Sequence, residues 1–318
     1  MDFGLHVGTR RVGATPDGLQ AIAKKTEEMG FSYLGFPDHV VIPSAVNSKY
    51  PYNKEGVWPA QDTGTCLEQL MTIAYVAAVT EKIRLLTSVL VLPHRAPVLA
   101  AKMLATADVL SKGRLTVGVG IGWMEEEISV LNAMPFSKRA KGAEEYISAF
   151  HALWTKQNPS FAGELVNFDS ILFDPKPVQK PHPPIWMGGE SDPALGRTAR
   201  LADGWYPVIA NSLQSLDSPA LYGSMLGRVK ERMVQIGRRP ETLRAALYAP
   251  WYQFGTTVDE RNSKRRPFTG SAEQIAKDIR NYEESGLQHL VIGFESQELS
   301  LSLERIERFA TEVIPLTS

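Results

Sequence analysis

The feature that most constrains this chain is the regular alternation of strand-like and helix-like stretches along its length. Phe3 to Val7 alternates as a strand does, and Pro16 to Met29 then places Leu19, Ile22, Thr26 and Met29 three and four residues apart, one face of a helix that Gly30 stops. Further strands are expected at Tyr33 to Phe36, Arg84 to Leu92, Leu115 to Val119, Ile185 to Met187, Gly204 to Tyr206, Leu243 to Ala249 and Leu290 to Phe294. Helix faces between them are expected along Leu67, Leu70, Ala74 and Ala77, along Leu99, Met103, Ala107 and Leu110, and at the end along Leu303, Ile306, Ala310 and Val313. Repeated βα units build parallel sheets, and eight of them close without leaving an edge. The expected fold is α/β, a (β/α)8 TIM barrel with insertions at the C-terminal face, and 318 residues suit one such domain over 1–318.

Two segments break the rhythm. A long polar loop runs from 43 to 65, and residues 156 to 183 carry Pro159, Pro175, Pro177, Pro181 and Pro183, which predicts a surface excursion with a hairpin as its simplest form. The hydrophobic share of 43% against 22% charged excludes a disordered chain, and a formal net charge of −1 gives no global field for nucleic acid or anionic lipid. The single cysteine, Cys66, excludes an intrachain disulfide and reads as a packing residue at a helix start. With no export signal at the amino terminus and no apolar run of about 18 residues, the expected location is a reducing cytoplasm. The six histidines lack ligand spacing, so no metal is expected, and no Gly-x-Ser-x-Gly hydrolase signature occurs.

Barrels of this kind carry chemistry where strands end, on the C-terminal face. Pro37-Asp38-His39 follows the second strand, and because imidazole as a side-chain type serves proton transfer near neutral pH, His39 is the candidate acid or base. Its bland reading is a satisfied loop histidine beside a turn-forming aspartate. Gly118-Val119-Gly120-Ile121-Gly122-Trp123 follows the fourth strand; Trp123 stands where a dinucleotide fingerprint needs its third glycine, so Gly120 and Gly122 suit close backbone approach to a flat ring or a tight turn. After the fifth strand, Gly188-Gly189-Glu190-Ser191-Asp192-Pro193 reads as a capped helix start whose amides suit a phosphate, provided that the Glu190 carboxylate points away. Trp123, Trp186, Trp205 and Tyr206 are either pocket wall or core.

Several blocks together resemble the luciferase-like monooxygenase family: Pro-Asp-His-Val at 37–40, Leu-Leu-Thr-Ser-Val-Leu-Val-Leu-Pro at 85–93, and Leu-Ser-Lys-Gly-Arg-Leu-Thr-Val-Gly-Val-Gly-Ile-Gly-Trp at 110–123. Pro-Pro-Ile-Trp-Met-Gly-Gly at 183–189, Ala-Asp-Gly-Trp at 202–205 and Gly-Ser-Ala-Glu-Gln-Ile at 270–275 continue the likeness over nearly the whole chain. The version here looks most like the branch served by coenzyme F420, a deazaflavin. The resemblance implies hydride transfer to or from a small organic substrate with His39 as acid or base and Asp38 against the cofactor. It also implies a non-prolyl cis peptide at Ser88-Val89 under the ring and a homodimer; the glycine and helix-start readings add Gly120, Gly122, Gly188, Gly189, Ser191 and the backbone of Glu190 as candidate cofactor contacts, with the Glu190 side chain departing from the small or polar residue of the family pattern. An FMN-dependent monooxygenase is the alternative, and a non-catalytic flavin-binding barrel is the second. The basic run Arg261, Lys264, Arg265 and Arg266 falls on the same face, where it reads either as a solvated loop or as a partner for the acidic tail of the deazaflavin.

Overall fold

The computed structural model describes residues 1–59, 64–255, 258–259, 264–294 and 296–317. Eight parallel strands close into a barrel: β1 (Asp2–His6), β2 (Tyr33–Phe36), β3 (Arg84–Val91), β4 (Leu115–Gly120), β5 (Ile185–Met187), β6 (Gly204–Trp205), β7 (Arg244–Ala249) and β8 (His289–Gly293), each paired with its neighbours in chain order. Closure is made by β1 on β8, with Asp2 opposite His289 and His6 opposite Gly293. The expected strands all form, most within a residue of their expected ends.

Local chemistry accounts for the boundaries. Helix α1 (Pro16–Glu28) starts on Thr15, whose Oγ1 accepts from the Gly18 amide at 3.2 Å, with Pro16 in the first turn, and it ends before Gly30 at φ +79°. Helices α2 (Gln69–Val79), α3 (Pro97–Leu110), α4 (Glu125–Leu131), α5 (Arg139–Thr155), α6 (Asp192–Leu201), α7 (Pro219–Gln235), α8 (Ala272–Glu284) and α9 (Leu299–Arg308) follow. The expected excursion contains an antiparallel pair of short strands, Phe161–Ala162 with Asn167–Phe168. No helix among the described residues is long and apolar enough to cross a membrane.

Most of the core lies between strands and helices, and a smaller cluster of Tyr33, Leu86, Trp186, Tyr206, Ala246 and Val291 fills the barrel lumen. One helix face differs from expectation. On α3 the buried positions are Ala100, Ala101, Leu104, Ala105, Ala107 and Asp108, while Leu99 and Leu110 are each 56% exposed. Alanines let the helix lie close to the sheet, so the small residues turn inward and the larger ones outward; periodicity alone does not choose between two apolar faces. Arg114 then ties the amino-terminal ends together, its guanidinium donating to the carbonyls of Ala77, Thr80 and Ile83 and its Nε to that of Ser111. A cation is favourable there because the last carbonyls of α2 and α3 have no partner within their own helices.

Candidate active site at the C-terminal mouth

Where β2 and β3 end, a buried network of charged side chains is assembled. Asp38 is bound by Arg95 through two contacts of 2.7 and 2.8 Å and accepts from the Val91 amide at 2.9 Å. Arg95 also meets Glu68, the N-cap of α2. Burial pushes the Asp38 carboxyl up, but His94 and the Arg95 guanidinium outweigh it and hold the group well below the usual carboxylate range. The Asp38 carboxylate is thus spent on fixing the turn after β2 to the end of β3.

His39 comes next in sequence and faces the other way. Its Nδ1 lies 2.7 Å from Oε2 of Glu127 on α4, whose Oε1 accepts from the amides of Val40 and Val41 at 2.7 and 3.2 Å. Glu127 is completely buried, while the His39 side chain is 19% exposed. The 43–59 stretch folds over this point: the Asn47 and Ser48 amides donate to Glu126, and Ser212 donates to the Pro51 carbonyl. It brings Trp58 against the His39 ring, 4.4 Å between centroids, and Tyr50 and Trp58 against Trp123.

Beside the network, the peptide between Ser88 and Val89 is cis, and the pairing of β3 with β4 shifts register between Thr87 and Leu90. Val89 is half-buried and stands between two glycines. A Cβ on Gly120 would come within 2.7 Å of Val89 Cγ2, and one on Gly188 within 3.8 Å of Val89 Cγ1. Neither glycine adds a side chain beside Val89, which leaves the valine as an apolar ledge between them. Gly122, at φ +74°, is needed for packing as well, since a Cβ there would meet Val91 and Ile128 at 2.8 and 2.9 Å. The close approach permitted at Gly120 and Gly122 is therefore one of strand and helix side chains, with the ledge as its product.

The turn after β5 is partly committed. The Gly188 amide donates to the Val119 carbonyl at 2.9 Å, so it extends the β4 ladder and is not free for a phosphate. Gly189 has φ +107°, and a Cβ there would lie 2.9 Å from that of Ala194, so a side chain at 189 disturbs the turn itself. Ser191 caps α6, accepting from the Ala194 amide at 3.4 Å, and Asp192 is paired with Arg228 and Arg232. Glu190 turns inward, accepting from the Val208 amide and the Asn211 side chain at 2.7 and 2.6 Å. Burial raises its carboxyl, with those two donors pulling the other way.

Beneath the ledge, Ser88 Oγ and the Tyr206 hydroxyl are 2.8 Å apart, and His6 stacks on Tyr248 at 4.6 Å. Burial pushes the His6 imidazole down to about 4, opposed by a hydrogen bond with the Ser88 backbone, so this second histidine is neutral at neutral pH. Of the aromatics, Trp123 lies at the mouth and Trp186 and Tyr206 in the lumen, whereas Trp205 is core, stacked on Tyr222 and donating to the Gly189 carbonyl. Cys66 sits half-buried just ahead of α2. Among the described residues no group of three or more His, Cys, Asp or Glu is placed to hold a metal.

The basic run has a different environment from the one expected. Arg261 lies outside the described residues, and Lys264–Arg265 pairs with Val258–Asp259 as a short antiparallel ribbon. Arg265 is held by Asp278 of α8 at 2.8 and 2.6 Å, and the Arg266 guanidinium lies over the Trp251 ring. Both guanidinium groups are thus engaged within the fold. A cleft of about 500 Å3 also opens at the opposite, amino-terminal end, lined by Arg84, Trp186, Arg244 and His289.

Asp38, His39, Ser88 and Val89, singled out in the sequence, thus come together at one end of the barrel with Arg95, which follows the same strand, and with Glu127, Glu68 and Trp58, which no sequence motif marks. The run Glu125-Glu126-Glu127 carries the signal of a helix start. Which of its three carboxylates turns inward depends on a loop 86 to 88 residues away.

A model of the luciferase-like monooxygenase family matches residues 1–312. An uncharacterised protein of Mycobacterium tuberculosis (strain ATCC 25618 / H37Rv) is 35% identical over 206 residues, covering 64% of this chain and 71% of its own. An FMNH(2)-dependent dimethylsulfone monooxygenase of Pseudomonas putida is 37% identical over 141 residues, 44% of this chain and 38% of its own. Among solved structures, the coenzyme F420-dependent tetrahydromethanopterin reductase of Methanopyrus kandleri superposes with a TM-score of 0.77 at 16% identity, covering 100% and 99% of the two chains. Long-chain alkane monooxygenase (LadA) gives 0.72 at 14%, covering 99% and 89%. At those identities the structural likeness is one of fold.

Proposed function

We propose, from the premise that this chain belongs to the luciferase-like monooxygenase family, that it is an oxidoreductase seating the deazaflavin F420 at the C-terminal mouth for hydride exchange with a small organic substrate. The observation that carries this reading is the meeting of two features at one place: a partly exposed histidine held by a buried carboxylate, and a flat apolar ledge at Val89 flanked by Gly120 and Gly188. The ledge fits one face of a planar ring system. When bound, such a group supplies the hydride. His39 then gives or takes the accompanying proton. Trp58 and Trp123 keep water from the ring, and Asp38 acts from below by fixing the ends of β2 and β3 through Arg95. The phosphate is assigned to the Gly189 to Ser191 turn at the start of α6, with Glu190 drawn inward and out of its way. The block pattern from Thr87 to Trp123 supports the choice of cofactor.

A reduced-FMN monooxygenase is the second reading, favoured by the likeness to the Pseudomonas putida enzyme. The two separate on oxygen: turnover that continues anaerobically with reduced F420 supports hydride exchange, and turnover that consumes oxygen with reduced FMN supports the second. Under either, His39→Ala lowers turnover about a hundredfold while cofactor affinity stays within a few-fold. Unchanged turnover would remove His39 from the chemistry. A homodimer is part of the proposal, supported by Met71 and Tyr75 on α2 and Leu99 and Leu110 on the adjoining α3, large side chains left exposed on outer helix faces. The single cysteine suits work in a reducing cytoplasm.

A further inference from the structure

Glu127 holds more than the position of a loop. Its Oε1 is occupied by two backbone donors, Val40 and Val41, which leaves Oε2 for the imidazole at 2.7 Å. With Glu127 as the carboxylate, which only accepts, the hydrogen in that contact is supplied by His39 Nδ1. Trp58 covers a face of the same ring. His94 approaches the same oxygen from the other side, but at 3.7 Å it is no competitor for the hydrogen bond.

We propose that Glu127 is the positioning residue of the site: it fixes His39 as the Nδ1–H form and so presents Nε2, with its lone pair or its proton, to the substrate. The assignment rests on the reading of His39 as acid or base, and it names the atom through which that chemistry runs. Orientation of an imidazole by a buried carboxylate leaves one nitrogen for work and fixes which one. The alternative tautomer would leave Nδ1 facing the fully buried Glu127 Oε2 lone pair to lone pair.

Glu127→Gln keeps the length and planarity of the side chain. With its amide oxygen retained by the Val40 and Val41 donors, its NH2 faces His39 Nδ1 and demands an acceptor there, which moves the hydrogen to Nε2. The test uses the full chain labelled with 15N-histidine and no cofactor, with the His39 signals assigned by their loss in His39→Asn. The expected result is an Nδ1-protonated ring in the wild type, a shift to the Nε2-protonated form in Glu127→Gln, and a fall in kcat of at least thirtyfold with cofactor affinity unchanged. Glu127→Asp, which withdraws the carboxylate by one methylene, should give mixed tautomers and an intermediate kcat, and it serves if the glutamine variant does not fold. An unchanged tautomer in the folded variant overturns the proposal, as does a changed tautomer with kcat within twofold of wild type. If His39→Ala is itself fully active, the acid–base reading fails, and the tautomer measurement identifies that failure separately.

Discussion

Removing the guanidinium of Arg95 tests the buried network most severely. Asp38 has a side chain with no exposure, and after Arg95→Ala its carboxylate keeps only the Val91 amide at 2.9 Å and the more distant His94. Leaving one member of a buried ion pair without its partner costs about 3–5 kcal/mol. For a chain of this size each kcal/mol lowers Tm by roughly 2 °C, so the variant should melt about 6–10 °C below wild type. The cost has a pH signature. Because the folded Asp38 carboxyl is held below its unfolded range, its contribution is complete above about pH 4 and is lost as pH falls through the folded value. The gap between variant and wild type should therefore narrow in strong acid. Replacing both partners by apolar residues, Asp38→Leu with Arg95→Met, should recover much of the lost stability, since breaking a pair costs more than removing it. Thermal unfolding followed from pH 7 down to about pH 2 for the three proteins provides the assay. A drop below about 1 kcal/mol for Arg95→Ala, or a gap that widens in acid, would refute the reasoning.

Other consequences follow from particular contacts. Gly120→Val should force Val89 out of place, costing about 1–3 kcal/mol and weakening cofactor binding together, read by thermal unfolding and titration; a variant that binds normally would remove the ledge from the site. Arg114→Ala leaves four carbonyls short of a donor and should cost several kcal/mol by denaturant unfolding while leaving kcat alone, because the residue lies at the opposite end of the barrel. Met71→Glu with Leu99→Glu should shift sedimentation from dimer to monomer without lowering Tm sharply, and an unchanged sedimentation coefficient would move the proposed interface elsewhere.

The barrel was legible because its signals are local. Strand runs, Pro16 and Gly30 each act within a few residues, and the structure places them as expected. The α3 face was not legible, because Leu99 and Leu110 share a helical spacing as regular as that of the buried alanines. Asp38, His39, Ser88 and Val89 could be picked out because they sit at strand ends carrying family blocks. Glu127 and the Arg95 clamp depend on loops meeting across 57 to 88 residues, and no spacing rule encodes that. The basic run shows a further limit: composition suggested a free positive loop, whereas Asp278 and Trp251 occupy Arg265 and Arg266.

The central claim, a deazaflavin at the C-terminal mouth, is tested most directly by titrating the purified protein with F420 and with FMN at one ionic strength while following tryptophan fluorescence. Trp58 and Trp123 stand at the site and report its occupation. Quenching should saturate at lower concentration for F420 than for FMN, and the mouth component of that signal should be lost in Trp58→Phe with Trp123→Phe. Tighter binding of FMN would contradict the choice of cofactor, and quenching that survives both substitutions would contradict its place at the mouth.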